Sequence, residues 1–315
     1  MEREKPHEGI LHRELHAHDA VRHFQPQLDA LREVVNYGSN LIAAAFHSSD
    51  KQLADVIVLP VLLKQIASML DAFEVLVSNA CMPAAQLQSR AMFEASVYVD
   101  FILLGNEEEK ARYYYVSNLR RELTWALRSQ EGSAEHTKFF AALGEFGDAL
   151  QETQKATAEP AKAQAQEIQE FLTNEPWKSV NAVLEQAKGK KKHDVAWHVP
   201  FGKGSVRELS ELTGRLHEYE VFYSISSEKM HSSEYRSHIS IGSGYIAFEP
   251  IRNLDGSHAL VSFALSVAFH AYRSVLSRYR PGQLNEFSRR YAENWRAAFL
   301  SIPKVVYNKS HKTVL

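Results

Sequence analysis

With 315 residues and 45% hydrophobic content, the chain can bury a large core and fits one large domain or two smaller ones. A formal net charge of -2 provides no global basic field, which excludes bulk electrostatic binding of nucleic acid and leaves only a local basic patch open. The single cysteine, Cys81, excludes an internal disulfide and a multi-cysteine zinc site and suits a reducing cytoplasm.

The charged start, Met-Glu-Arg-Glu-Lys-Pro-His-Glu, leads into no apolar run and does not read as a signal peptide. Residues 1–25 form a His-rich segment containing His7, His12, His16, His18 and His23. His12 and His16 are four apart, the spacing of a metal-binding pair on a helix, but no Cys or carboxylate spacing completes a site, so no metal is expected. Residues 26–302 read as one helical-bundle domain. Pro26 is expected to open its first helix, which runs to about Phe46. A long apolar helix from Gln52 to Ala80 should be interrupted near Pro60. Pro83 starts another helix, to about Leu104, with Gly105 as its C-cap. Asn106 is the expected N-cap of a helix from Glu107 to about Gln130. An exposed helical insert is expected over about 133–204, with the Ala- and Gln-rich stretch Ala156–Gln169 solvated and the loop Gly189–His193 basic.

Ser205 should cap a long central helix, Val206 to about Ser232. The period then changes to alternation around Gly242-Ser243-Gly244, a short β-hairpin near 238–249. Two helices follow, His258 to about Tyr279 and Gln283 to about Leu300, split by Pro281-Gly282, before a basic tail at 303–315. The fold class is therefore all-α, a bundle of long helices with one hairpin. The apolar windows Leu53–Leu70 and Ala259–Val275 are interrupted by Asp55, Pro60 and Lys64 and by His270 and Arg273, so they read as buried helices and no membrane partner is expected.

Chemistry concentrates in two stripes. Tyr219, Tyr223, Ser227 and His231 recur every fourth residue on the central helix, too polar a stripe for ordinary core. Arg90, Glu94 and Tyr98 form a second stripe on a helix otherwise lined by Leu87, Phe93, Val97 and Phe101. Charges on so apolar a helix either pair with neighbouring helices or serve a ligand. No cofactor motif appears: Gly202-Lys203-Gly204-Ser205 lacks the spacing of a phosphate-binding loop and follows no strand.

The segment Arg90-Ala-Met-Phe-Glu94-Ala resembles the Arg-x-x-x-Glu-Ala helix of a bacterial family of all-helical domains of unknown function. In that family the helix is followed by an Arg- and Tyr-containing helix, as in Arg112-Tyr-Tyr-Tyr115, and by a Tyr-x-x-x-Ser-x-x-x-His helix, as in Tyr223 to His231. The resemblance covers roughly Leu53 to Ser233 and implies that Arg90, Glu94 and His231 lie near one another. Such proteins are also similar to small helical (HEPN-like) ribonucleases of prokaryotic toxin and antiviral systems. Those use an Arg followed four to six residues later by a His, often across a dimer. The chain departs from this pattern: Arg236 and His238 are too close, and Arg13 to His18 fits only in the N-terminal segment.

Two functional expectations follow. The first is a metal-independent, ribonuclease-like effector of a defence or toxin system, acting on RNA or a nucleotide. His231, Arg90 and Glu94 would be its catalytic groups, and Tyr223, Ser227, Tyr98, Tyr219 and Tyr114 would hold the substrate. The second is a non-catalytic helical module that binds a ligand, a protein partner or a second copy of the chain, with the polar stripes setting helix register.

Overall fold

The structure, a computed structural model, describes residues 4–144, 146–191, 193–224, 238–242 and 245–305. The chain divides into two units, Met1–Gly105 with Val206–Leu315, and Asn106–Ser205. The fold is all-α with one two-stranded hairpin.

In the first unit, α1 spans Arg13–Ser48. Its N-cap is His12, whose Nδ1 accepts the Leu15 amide at 3.2 Å. The sequence places the helix start at Pro26; the helix instead runs through it, so residues 13–25 are continuous with the first bundle helix. Proline forfeits one backbone hydrogen bond. Burial of Phe24, Gln27 and Leu28 on either side offsets that loss, and Gln27 Nε2 donates to the Ala298 carbonyl at 2.9 Å. The second apolar segment is α2 (Leu53–Val56), a π-helical stretch Ile57–Leu63, and α3 (Lys64–Ser78). The expected interruption near Pro60 takes this form: widening the turn relieves the clash of the proline ring with the preceding turn and absorbs its missing N–H. Helix α4 spans Met82–Leu103 and stops at Gly105, which holds a positive φ of 106°.

The core forms where α1, α3 and α4 meet the long C-terminal helix α11 (Ser257–Tyr279). The segments Leu53–Ser78 and Ser257–Tyr279 are long and apolar enough to cross a bilayer by length and composition, and both bury residues in this core, Leu63 and Ala264 among them. Phe93 meets Phe263 and Asp100 meets His270, so α4 and α11 run parallel. Helices α12 (Leu284–Arg290) and α13 (Arg296–Leu300) close the unit through a π-helical turn, Tyr291–Trp295, and the Trp295 ring packs edge-on against Tyr37.

The expected single helix from Val206 to Ser232 is broken. Helix α9 spans only Val206–Leu212, Gly214 takes φ +75°, and α10 restarts at Leu216–Glu218 before a π-helical turn, Tyr219–Tyr223. Glycine permits the left-handed turn that a longer side chain would strain. The break delivers Arg215 into the core. The hairpin pairs β1 (Ile239–Gly242) with β2 (Tyr245–Phe248), with Ile239 opposite Phe248 and Ile241 opposite Ile246.

The second unit holds α5 (Glu107–Arg128), α6 (Ala134–Leu143), α7 (Phe146–Thr173) and α8 (Trp177–Lys188). Asn106 precedes α5 with φ +52°, and its side chain makes no capping bond; its carbonyl accepts the Lys110 amide at 3.0 Å. The Ala- and Gln-rich stretch is not wholly solvated: Ala165, Ile168 and Leu172 recur at helical spacing and are buried, in a helix that packs on α5. Arg120, 8% exposed, is fully engaged. Its Nε and Nη2 grip the two carboxylate oxygens of Asp194 at 3.1 and 2.9 Å, and Nη1 donates to Asn181 Oδ1 at 2.6 Å. Lys188, the last residue of α8, also pairs with Asp194, at 2.9 Å.

Two outcomes test this architecture. A Cβ at Gly38 would sit 2.1 Å from the hydroxyl of the buried Tyr272. Gly38→Ala should therefore cost about 1–3 kcal/mol by overpacking, read as a lower urea midpoint. The second outcome concerns acid. Burial raises the Asp194 carboxyl, but the hydrogen bonds from Arg120 and Lys188 outweigh it and hold the group below its usual range. A carboxyl depressed by folding contributes stability present above its unfolded pKa and lost as pH falls through the folded one. Unfolding followed from pH 5 downward past about pH 4, the carboxylate reference value, should show an acid-side loss, and Asp194→Asn should flatten it.

Candidate functional site

Helix α4 carries two polar clusters on adjacent faces. The first is the Arg90, Glu94, Tyr98 stripe, which meets Tyr223 of the π-helical turn. Arg90 Nη2 donates to the Tyr223 hydroxyl at 3.1 Å, and the guanidinium carbon lies 4.1 Å from the centroid of the same ring. Tyr223 donates to Glu94 Oε2 at 3.1 Å, and Tyr98 donates to Oε1 at 2.9 Å. Tyr219 stacks on Tyr223 with centroids 4.9 Å apart. Neither Arg90 nor Glu94 has an oppositely charged partner within 4 Å among the described residues, and Arg90 Nη1 is buried with no hydrogen-bond partner. Burial, with the Glu94 charge second, pushes the Tyr223 phenol up to about 12.

The second cluster is centred on Arg215, only 2% exposed. Its Nε pairs with Glu218, and Nη1 donates to Ser96 Oγ and, at 3.1 Å, to Asp100 Oδ2. Its guanidinium lies 4.8 Å over Phe93. Nη2 is buried and unpartnered. Asp100 accepts twice more, from Ser274 Oγ at 2.8 Å and from His270 Nε2 at 2.9 Å. The His270 side chain is 43% exposed, whereas that of Asp100 is 9% exposed. The imidazole thus stands at the surface, held by a buried carboxylate.

Of the residues singled out by sequence, Arg90, Glu94, Tyr98, Tyr219 and Tyr223 come together. Tyr114 belongs to the second unit, where it packs edge-on against Trp197 at 5.4 Å. Ser227 and His231 lie outside the described residues. His12 serves as a helix cap, and burial lowers the pKa of His16. Among the described residues no group of three or more His, Cys, Asp or Glu side chains could hold a metal ion.

The Arg215 cluster was missed. One local signal existed: Ser96 and Asp100 are four apart on α4, as His270 and Ser274 are on α11. Each pair alone reads as an interruption of an apolar helix.

An all-helical scaffold with two arginine-centred networks on one helix defines the class. The chain belongs to a family of unknown function (DUF5677), whose model matches residues 56–244. That span contains every residue of both clusters except His270 and Ser274. No curated protein and no solved structure matches the chain.

The tyrosine link generates a prediction. Folded Tyr223 keeps its proton to about 12 while the unfolded chain releases it near 10, so the folded state binds more protons in that window. Stability should fall as pH rises from 10 towards 12. Tyr223→Phe should lessen that decline and cost about 1–3 kcal/mol at neutral pH, because Glu94 and Arg90 each lose a partner. Urea unfolding at pH 7, 9 and 11 measures both effects.

Proposed function

We propose that the protein binds a phosphate-bearing polynucleotide or nucleotide at the Arg90 site and cleaves its phosphodiester, as an RNA-cleaving effector of a prokaryotic defence or toxin system in the cytoplasm. The observation that supports this reading is the state of Arg90. Its guanidinium is fixed by the hydroxyl and ring of Tyr223, lacks a carboxylate partner among the described residues, and keeps one buried donor unused. A positive charge so held is preorganised for a phosphate oxygen, and a guanidinium can hold two oxygens at once. Tyr98 and Tyr219 offer a hydroxyl and a ring face beside it. Glu94, braced by two tyrosines, discourages close approach by carboxylates without ring or base contacts. In this reading His231, which lies outside the described residues, supplies an acid–base group.

A second reading, a non-catalytic module that binds a protein partner or a second copy, is favoured by the hairpin. Directly opposed pairs point to the same side of a sheet, so Ile239, Ile241, Ile246 and Phe248 share one face. Ile241, Ile246 and Phe248 on it are exposed, while Ala247 on the other face is buried. Such inverted patterning marks a contact surface.

The experiment is cleavage of single-stranded RNA by the purified chain. Arg90→Ala and His231→Ala should each lower the rate at least about 10²-fold, with circular dichroism unchanged. An inert wild-type protein that sediments as a concentration-dependent oligomer would leave the module reading standing and remove the enzymatic one.

A further inference from the structure

The Arg90 site explains nothing about Asp100, His270 and Ser274, although their arrangement is that of a positioned base. A carboxylate only accepts, so the His270 Nε2 facing Asp100 carries the proton. In the neutral ring that leaves Nδ1 as an acceptor, and among the described residues it has no partner. Asp100 is itself fixed by Arg215 and Ser274, so the ring is oriented by a buried, triply hydrogen-bonded group. Orientation of an exposed base by a carboxylate that is in turn anchored is the geometry acid–base catalysis requires. Arg273, exposed and free of any ion pair among the described residues, lies one turn from His270 on the same face of α11.

We propose that His270 is a catalytic acid–base residue acting on a polynucleotide, with Asp100 as its positioning residue. The inference rests on the phosphodiester reading above. The two clusters are joined by one ring: Phe93 packs under Arg215 and lies 5.8 Å from Tyr223. Glu94 and Asp100 are six residues apart, about 9 Å along the helix axis. A polynucleotide, with a phosphate at every residue, offers a group to each cluster. The step balances without a metal. His270 Nδ1 takes the proton of a ribose 2′-hydroxyl, whose oxygen forms a bond to phosphorus. The bond from phosphorus to the 5′-oxygen breaks, and the imidazolium returns the proton to that oxygen. The products are a cyclic phosphate and a 5′-hydroxyl, and the ring ends neutral.

The test uses the full chain and a single-stranded RNA oligonucleotide. His270→Ala should lower kcat about 10²- to 10⁴-fold with RNA binding and circular dichroism unchanged, and imidazole added to the buffer should restore part of the rate. Asp100→Asn should lower kcat with KM little changed. Loss of activity in Arg90→Ala together with full activity in His270→Ala would overturn this assignment alone. A wild-type chain that leaves RNA intact would overturn the phosphodiester reading and this one with it. A His270→Ala variant that is inactive but deaf to imidazole would assign the residue a structural role and overturn the proposal.

Discussion

A guanidinium sealed in an apolar bundle sets the terms for the rest of the first unit. Arg215 is 2% exposed, and an unpaired charge at that depth would shift the balance by more than a small domain's whole stability margin. The chain answers with Glu218 from the next turn, Asp100 and Ser96 from α4, and the Phe93 ring. Each answer constrains something else. The break at Gly214 is what lets the arginine enter, and Asp100 must lie at the level of His270 for its second oxygen network to close. A buried ion pair of this kind adds little net stability compared with a hydrophobic substitute, but losing one partner is expensive. It acts as a register device for α4, α10 and α11.

Helix α4 consequently presents two chemistries on neighbouring faces. The face of Arg90, Glu94 and Tyr98 meets tyrosines, and the face of Ser96 and Asp100 meets an arginine, a histidine and a serine. Phe93 stands between them, touching Arg215, Tyr223 and Phe263. The ring keeps the two charge systems apart while holding them at a fixed spacing, which gives the proposed polynucleotide site its two contact points.

The second unit offers an internal contrast. Arg120 is nearly as buried as Arg215, yet each of its three guanidinium nitrogens is engaged by Asp194, Asn181 or Glu185. That is a satisfied structural clamp. Arg90 and Arg215 each retain a buried nitrogen without a partner. Buried donors are ordinarily paired, so these two guanidinium nitrogens, one on α4 and one packed against it, set Arg90 and Arg215 apart from Arg120.

Local periodicity and turn chemistry were sufficient for most of the helices, for the hairpin strands around Gly242, and for the stripes that put Arg90 with Glu94 and Tyr98 and Tyr219 with Tyr223. These depend on spacings of two and four residues, which a sequence displays directly. Where burial overrode local rules, the reading shifted: α1 passes through Pro26 because its flanks are packed, and the Ala- and Gln-rich α7 hides a narrow apolar stripe. The pairing of Asp100 with His270, 170 residues on, was decided only by tertiary structure. It needs α4 and α11 to run parallel in one particular register, and the entry of Arg215 needs a backbone turn at Gly214 within an otherwise helical pattern. A sequence fixes which residues share a face; which faces meet is set by packing across the whole core.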